Sequence, residues 1–178
     1  MLSCLVFRGK NMVVIIDVDY NNKSQGHAVG VIADSILSNK ELWYVSAVVN
    51  NVGDYIAGQF YKRELGCVSA ILSRIDLSDV DCIIVDGYAD FGTDKYSLGS
   101  HVFYNYGIPV IGIAKNWYPD CYILNTEVYR GTSKRALHVT SKGVELDKAK
   151  DLVMNMYGEY RLPYLTKLAD SLCRDWTK

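Results

Sequence analysis

The sequence predicts one α/β domain: a mixed β-sheet, made of an antiparallel meander and parallel strands, with helices on its faces. Three strand-like apolar runs separated by short turns open the chain, and helical and strand-like patterns alternate after them. The chain has 178 residues, of which 49% are hydrophobic and 22% are charged, and this is enough for one domain with a substantial core. No internal repeat, low-complexity tract or linker divides residues 1–178, so a single domain is expected.

The first three elements form the meander. The run "MVVIIDVDY" (12–20) is apolar and β-branched, as is typical of a buried central strand. Clusters of turn-forming residues at 21–26 and 37–41 separate it from two further strand-like segments, 27–36 and 42–50. Because these connections are short, consecutive strands are expected to pair in antiparallel fashion.

The middle of the chain alternates between helical and strand-like patterns. Apolar residues recur at three-to-four spacing from about Ile56 to Ile75, which predicts a helix. The next segments predict, in chain order, a strand, a short helix ending at Gly107, and another strand: 80–87, 98–107 and 108–116.

The last third predicts a hairpin and two helices. Residues 117–140 are expected to include the hairpin, with "ALHVTS" as its last strand, and helical patterns follow at 145–157 and, after Pro163, at 165–176. An antiparallel meander that leads into helix, strand, helix and strand is the element order of the ribonuclease-H-like architecture. The sequence therefore predicts a ribonuclease-H-like mixed sheet flanked by helices.

The charge balance and the cysteines limit the classes of partner and cofactor. With 19 basic and 20 acidic residues the net charge is −1, so a nucleic-acid partner would require a local cluster of Lys and Arg. The five cysteines include no CxxC pair and no zinc-like spacing, and they are interpreted as buried thiols in a reducing compartment. No apolar stretch approaches the ~20 residues of a membrane span, and the N-terminal segment is not organised as a secretory signal. The expected location is the cytoplasm.

Three carboxylates stand out by their positions in the predicted elements. Asp17 follows four apolar residues in the first strand, Asp86 ends the fourth strand, and Glu64 lies on the first helix. The first strand and the first parallel strand can be neighbours in a mixed sheet, so the three carboxylates are expected to converge. Such a cluster would repel itself, and a Mg²⁺ ion, which prefers carboxylate oxygens, would relieve the repulsion. Lys115, the first charge after the strand "PVIGIA", is a candidate to hold a scissile phosphate.

Each of these residues also has a purely structural interpretation. Asp86 precedes a glycine, and Asp-Gly after a strand is common in turns. Glu64 fits a solvated helix face, and Lys115 fits an ordinary surface lysine at a strand end. Asp19 points to the same face as Asp17 in an ideal strand, and it is either a further ligand or a surface charge.

A set of motifs in a fixed order resembles the endonuclease V family. The motifs extend from about Met12 to Arg174, nearly the whole chain. They read as follows: "DVDY" (17–20), "YKREL" (61–65), "VDGYA" (85–89), "SH" (100–101), "IPVIGIAK" (108–115) and "YRLPYLTKLAD" (160–170).

The resemblance implies a metal-dependent nuclease that nicks nucleic acid near deaminated adenine (inosine) and leaves 5′-phosphate ends. Asp17, Glu64 and Asp86 would be its metal-binding and catalytic carboxylates, and Lys115 its active-site lysine. The implied cofactor is Mg²⁺, with Mn²⁺ as the alternative, and no organic cofactor is expected. The partner would be DNA or RNA, without a membrane, and the protein would act as a monomer.

The family also has a wedge loop that separates the strands beside the lesion, and it corresponds here to "DYIAG" (54–58). Tyr55 would be the separating aromatic residue. The residues implied in nucleic-acid binding are Tyr55, Ile56, Gly58, Gly87, Arg161 and Asp170.

Several positions depart from the family pattern. Asp54 and Ala57 replace the two prolines of the wedge loop, Tyr88 replaces the histidine that follows Gly87, and the segment 92–95 lacks a histidine and two arginines. The carboxylates and the lysine are retained. Three interpretations stay open: an inosine-directed endonuclease, a structure- or mismatch-directed nuclease without inosine specificity, and a nucleic-acid-binding protein that has lost catalysis.

Overall fold

A seven-stranded mixed β-sheet forms the centre of the structure. The computed structural model describes residues 12–21, 24–52 and 60–176 of the chain. The strands in chain order are β1 (Met12–Tyr20), β2 (Gln25–Ala33), β3 (Trp43–Asn50), β4 (Val80–Asp86), β5 (Val110–Ala114), β6 (Glu127–Val128) and β7 (Leu137–Lys142).

The strands lie side by side in the order β3-β2-β1-β4-β5-β7-β6. Strands β1, β2 and β3 pair in antiparallel fashion, and β4 lies parallel to both β1 and β5. Strand β7 runs antiparallel to β5 and to the two-residue β6. The predicted meander and the predicted parallel strands are therefore confirmed, with β1 and β4 as neighbours at the centre of the sheet.

Four helices cover the two faces of the sheet in the described ranges. They are α1 (Phe60–Leu72), α2 (Leu98–Tyr106), α3 (Leu146–Asn155) and α4 (Tyr164–Cys173). Helix α2 begins where the Ser97 hydroxyl accepts a hydrogen bond from the backbone of Ser100, and it ends at Gly107, whose φ of 68° is left-handed. Helix α1 ends earlier than predicted. The Arg74 amide donates to the carbonyl of Ile71, only three residues back, and this tighter turn replaces the α-helical hydrogen bond.

The alternation of side chains along β1 divides the core into two layers. Val13 and Ile15 pack against α3 and α4 on one face, and Val14 and Ile16 pack against α1 and α2 on the other face. A central parallel strand is buried on both faces, which explains its continuous apolar run. Asp17 continues the series of Val13 and Ile15, so its side chain belongs to the α4 face.

The structure also bears on the cysteines and on the search for a membrane span. Cys67, Cys82, Cys121 and Cys173 are free and buried in the core, as predicted for structural thiols. In the part of the chain that the structure describes, no helix combines the length and apolar character needed to cross a membrane.

Candidate functional site

The pairing of β1 with β4 brings Asp17 and Asp86 side by side. Ile16 is opposite Val85 in this parallel pair, so the next residue of each strand, Asp17 and Asp86, lies at the same level of the sheet. Each aspartate follows a buried isoleucine by two residues, and both therefore face α4. The sheet register alone thus produces the first part of the predicted cluster.

Lys115 reaches the same place from β5. Asp86 is opposite Ile113 in the β4–β5 pair, and Lys115 comes two residues after Ile113 on the same face. Its Nζ atom lies 3.1 Å from Oδ2 of Asp86 and 3.3 Å from Oδ1 of Asp170 on α4. Burial opposes protonation, but the carboxylates of Asp86, Asp17 and Asp170 together outweigh it and raise the pKa of Lys115 above its ordinary value. The lysine is therefore a fixed positive charge at this site.

Asp170 forms an ion pair with Lys115 from the α4 side of the sheet. Its Oδ1 atom also accepts a hydrogen bond from Nη2 of Arg174 at 3.0 Å, one turn further along the chain. Burial raises the pKa of Asp170, but the hydrogen bond from Arg174 and the charge of Lys115 lower it to a value below the ordinary range. Asp170 therefore stays ionised and acts on the lysine, whereas a direct phosphate contact would place two negative charges together.

Glu64 joins the cluster from the opposite face of the sheet. It lies on α1, and its residue surface is 8% exposed. Burial, followed by the charges of Asp86 and Asp17, raises the pKa of Glu64 well above its ordinary value. The Glu64 carboxylate thus lies within electrostatic range of both aspartates.

Asp17 has a strongly raised pKa. Burial and the neighbouring charge of Asp86 raise the pKa of Asp17 from 3.8 to about 7, although the backbone amide of Val18 donates a hydrogen bond to it at 2.8 Å. Lys115 lowers this pKa only in part. The single positive charge of Lys115 does not balance the neighbouring carboxylates, so a further cation would stabilise their ionised forms.

The donor set fits a divalent cation in its chemistry. Across 12–21, 24–52 and 60–176, no group of three or more His, Cys, Asp or Glu side chains is arranged to hold a metal ion as it stands. Asp17, Glu64 and Asp86 nevertheless offer the carboxylate oxygens that Mg²⁺ prefers, and a cation would relieve the repulsion that raises the pKa values of Asp17 and Glu64. A narrow cleft reaches Asp17 and Asp86 between Lys115 and Thr166.

Of the residues predicted to bind nucleic acid, the structure describes Gly87, Arg161 and Asp170. Tyr55, Ile56 and Gly58, with the rest of the wedge loop, lie outside the described residues. Gly87 follows Asp86 directly and adopts a φ of 126°, which is strained for any other residue, while its amide bonds to the Ile113 carbonyl.

Arg161 fastens the strand end that carries Lys115. Its Nη2 atom donates hydrogen bonds to the backbone carbonyls of Lys115 and Ala136, the second at 2.6 Å. Burial, and then the charge of Arg135, lowers the pKa of Arg161. The guanidinium is therefore partly engaged in positioning the site.

Asp19, the possible further ligand, is instead hydrogen-bonded to a side chain near the end of the chain. Its Oδ2 atom accepts a hydrogen bond from Nε1 of Trp176 at 2.7 Å. The same tryptophan lies 5.4 Å from the ring of His27, whose Nδ1 is 2.7 Å from the carbonyl oxygen of Cys173. These contacts fix the chain after α4 against β1 and β2, and they give Asp19 a structural partner.

Tyr88 connects the loop after Asp86 with the turn after Lys115, a role that sequence reasoning did not find. Its hydroxyl donates to the Asn116 carbonyl and accepts from the Tyr118 amide, both at 2.9 Å. Its ring packs 5.6 Å from Phe91 and 6.0 Å from Tyr118. The partners lie about 30 residues away along the chain, so only a departure from the family motif marked this position.

Arg130 is a second residue that sequence reasoning missed. It is only 4% exposed, and its guanidinium donates to backbone carbonyls of the 154–161 segment, including Gly158 and Tyr160, both at 3.0 Å. In the sequence it stands in a short basic run, "YRGTSKR" (129–135), and such runs are typical of solvated surface. A buried arginine that satisfies several carbonyls is instead an organising element of the fold.

Comparison with known proteins identifies the family. A model of the Endonuclease V family matches residues 6–140. Endonuclease V of Streptomyces avermitilis is 28% identical over 190 residues, covering 93% of this chain and 80% of that protein. A crystal structure of Endonuclease V from the same organism has a TM-score of 0.74 and 26% identity, covering 92% of this chain and 79% of that one.

More distant structures share the fold. Endonuclease V of Ciona intestinalis, solved with a 24mer DNA containing an inosine followed by a ribo-adenosine, has a TM-score of 0.77 at 17% identity, covering 92% of this chain and 84% of that one. Human ENDOV has a TM-score of 0.76 at 17% identity, with coverages of 94% and 84%. These likenesses confirm the predicted ribonuclease-H-like sheet flanked by helices.

Proposed function

The chain belongs to the endonuclease V family and is an endonuclease that hydrolyses phosphodiester bonds, and from this premise we propose that it cuts DNA at a metal site formed by Asp17, Glu64 and Asp86, with Lys115 beside it. One observation carries the proposal. Two partly buried carboxylates on neighbouring parallel strands and a buried third from α1 act on one another electrostatically.

Asp17, Glu64 and Asp86 would hold a Mg²⁺ ion, with Mn²⁺ as the alternative. Such an ion supplies two things when bound: it activates water as a nucleophile, and it neutralises the charge that grows on the phosphate during the reaction. The carboxylates keep their geometry because they lie on two central strands and on a packed helix, which are rigid supports for a site.

Lys115 supplies the protein's own positive charge to the reaction. Its raised pKa keeps the ammonium protonated at neutral pH, and it can donate hydrogen bonds to a non-bridging oxygen of the scissile phosphate. Asp170 and Arg161 position it, the first through its ammonium and the second through its backbone carbonyl. In the proposed cleavage a water oxygen bonds to phosphorus, the bond from phosphorus to the 3′ oxygen breaks, and a proton passes to that oxygen. The ends are a 5′-phosphate and a 3′-hydroxyl.

DNA containing inosine is the first candidate substrate, because a structural relative was solved with such DNA. The second candidate substrate is DNA with an unusual strand structure or a mismatch, which the enzyme would cut without a preference for inosine. The loop after Asp86 favours this second candidate, since Tyr88, Phe91 and Tyr118 pack together there and Tyr88 replaces the family's histidine. The two candidates differ in substrate, while the carboxylates serve both in the same way.

Cleavage of a panel of oligonucleotides in Mg²⁺ tests the proposal. The panel contains inosine, mismatched, flapped and unmodified substrates in DNA and in RNA. We expect the protein to cut DNA, and we expect Asp86→Asn to lower the rate by more than about a hundredfold, since even residues that only support a metal ligand contribute 10- to 100-fold. Asp151→Asn, an exposed position on α3, is the matched control. Undiminished cleavage by Asp86→Asn would refute the assignment of Asp86, and a protein that binds DNA without cutting any member would refute the nuclease proposal.

A further inference from the structure

A groove of about 440 Å³ opens beside the acidic cluster. One wall contains Thr132 and Ser133 from the turn after Arg130, and the other contains Glu159 to Leu162 together with Lys167 of α4. Lys115 lies at the end nearest the carboxylates, and we call this feature the Lys115 groove. Resting on the function proposed above, we propose that the Lys115 groove binds the single-stranded stretch of DNA next to the cut, with phosphates on Lys167 and Arg135 and a base stacked on Tyr160.

The first argument is continuity with the acidic cluster. Lys115 and Leu162 line both the Lys115 groove and the narrow cleft that reaches Asp17 and Asp86. A strand whose phosphate contacts Lys115 therefore has its neighbouring nucleotides at the mouth of the groove. The volume also falls within the roughly 300–1,000 Å³ of typical ligand sites.

The second argument is charge. The groove is lined by Lys115, Arg161 and Lys167 against one acidic residue, Glu159, although the chain as a whole has a net charge of −1. Arg135 adds a further exposed cation next to the wall, because its backbone amide and carbonyl both hydrogen-bond to the Ser133 hydroxyl at 3.1 Å. Phosphate binding requires this kind of local cluster rather than a basic protein overall.

The third argument is an exposed aromatic ring beside a cation. Tyr160 is 68% exposed, so its ring is not used for core packing. The Nζ atom of Lys167 lies 5.0 Å from the centre of that ring. Aromatic rings that alternate with cations along a groove are the typical surface for single-stranded nucleic acid, where bases stack and phosphates pair with Lys or Arg.

The groove is a built feature, because Arg130 joins its two walls. The Arg130 guanidinium donates to the carbonyl oxygens of Gly158 and Tyr160 at 3.0 Å and to that of Arg161 at 3.3 Å. Next to it, Gly131 has a φ of 57°, and a Cβ there would lie 2.1 Å from the carbonyl oxygen of Glu159. The walls are therefore preorganised, which lowers the entropic penalty of binding a strand.

Fluorescence anisotropy with a labelled single-stranded DNA, and with RNA of the same sequence, tests the proposal. All proteins carry Asp86→Asn and are measured in Mg²⁺, so that binding is read without cleavage. We expect Tyr160→Ala to weaken DNA binding at least about fivefold. We expect Lys167→Ala and Arg135→Ala each to reduce the slope of log K against log salt concentration by about 0.7.

Lys40→Ala is the matched control for lost charge. Lys40 is exposed in the turn between β2 and β3, at the opposite end of the sheet from Asp17, and we expect it to leave both affinity and salt slope unchanged. The groove assignment is overturned if the three groove variants behave like Lys40→Ala, or if the Asp86→Asn protein binds no DNA. An effect confined to the RNA arm overturns DNA as the occupant. None of these binding results decides the cleavage test, so failure of the groove assignment can be told apart from failure of the proposed function.

Discussion

Asp17 and Glu64 are carboxyl groups held where burial opposes their charge. The pKa of Asp17 is raised from 3.8 to about 7, and that of Glu64 is raised as well. In the metal-free protein these residues destabilise the fold, because the unfolded chain ionises them more easily. Side chains that oppose stability in this way are characteristic of functional sites.

Asp17→Asn is therefore expected to stabilise the metal-free protein. The folded-state pKa lies above the unfolded value, so the destabilisation is absent below pH 4, grows as the pH rises toward 7, and is constant above it. We expect a gain of roughly 1–3 kcal/mol at pH 8, or about 2–10 °C in Tm. Thermal unfolding in EDTA at pH 4 and pH 8 measures this gain.

Asp151→Asn on α3 serves as the control for that measurement, since it lies exposed and far from the cluster along the chain. We expect its Tm to follow the wild type at both pH values. A lower Tm for Asp17→Asn than for the wild type at pH 8 would show that the Asp17 carboxylate stabilises the fold, contrary to this account.

At the scale of elements, Arg130 joins the turn after β6 to the segment between α3 and α4. Its five hydrogen bonds to carbonyl oxygens reach Met154, Met156, Gly158, Tyr160 and Arg161. Met154 lies in the last turn of α3, and the other four carbonyls belong to no regular element, so for them the arginine takes the place of a backbone ladder.

Arg130→Met keeps much of the volume and removes every one of these bonds. Buried carbonyls left without donors each lose part of their hydrogen-bonding energy, and we expect a loss of about 3 kcal/mol or more in the free energy of unfolding. Urea denaturation measures it. Lys134→Met, an exposed neighbour in the same basic run, should change stability by less than about 0.5 kcal/mol. Equal effects of the two substitutions would show that Arg130 does not organise this region.

The elements themselves follow from local patterns more readily than their connections do. Strand β1 agrees with the predicted 12–20 because a β-branched run has one favourable conformation in a buried sheet. The segment 117–140 was predicted only as a hairpin with uncertain bounds, and its β6 proves to be two residues long. Contacts of Tyr88 and Arg130 with distant backbone shape that region, and no local pattern encodes such contacts.

At the scale of the whole molecule, the candidate site lies where the β1–β4 pair, α1 and α4 come together. Parallel pairing brings β1 and β4 together, α1 delivers Glu64 from one face, and α4 delivers Asp170 from the other. The convergence of Asp17 and Asp86 could be predicted from element order, because neighbouring parallel strands end at one edge. The Lys115 groove could not, because its two walls are distant in the sequence and are joined by one side chain.

The central claim is that Asp17, Glu64 and Asp86 form one cation site. Titration of the protein with Mn²⁺, followed by the electron paramagnetic resonance signal of the free ion, tests this claim most directly. We predict binding by the wild type and by Asp151→Asn, and a loss of at least about tenfold in affinity for each of Asp17→Asn, Glu64→Gln and Asp86→Asn. Wild-type affinity in all three variants would contradict the account.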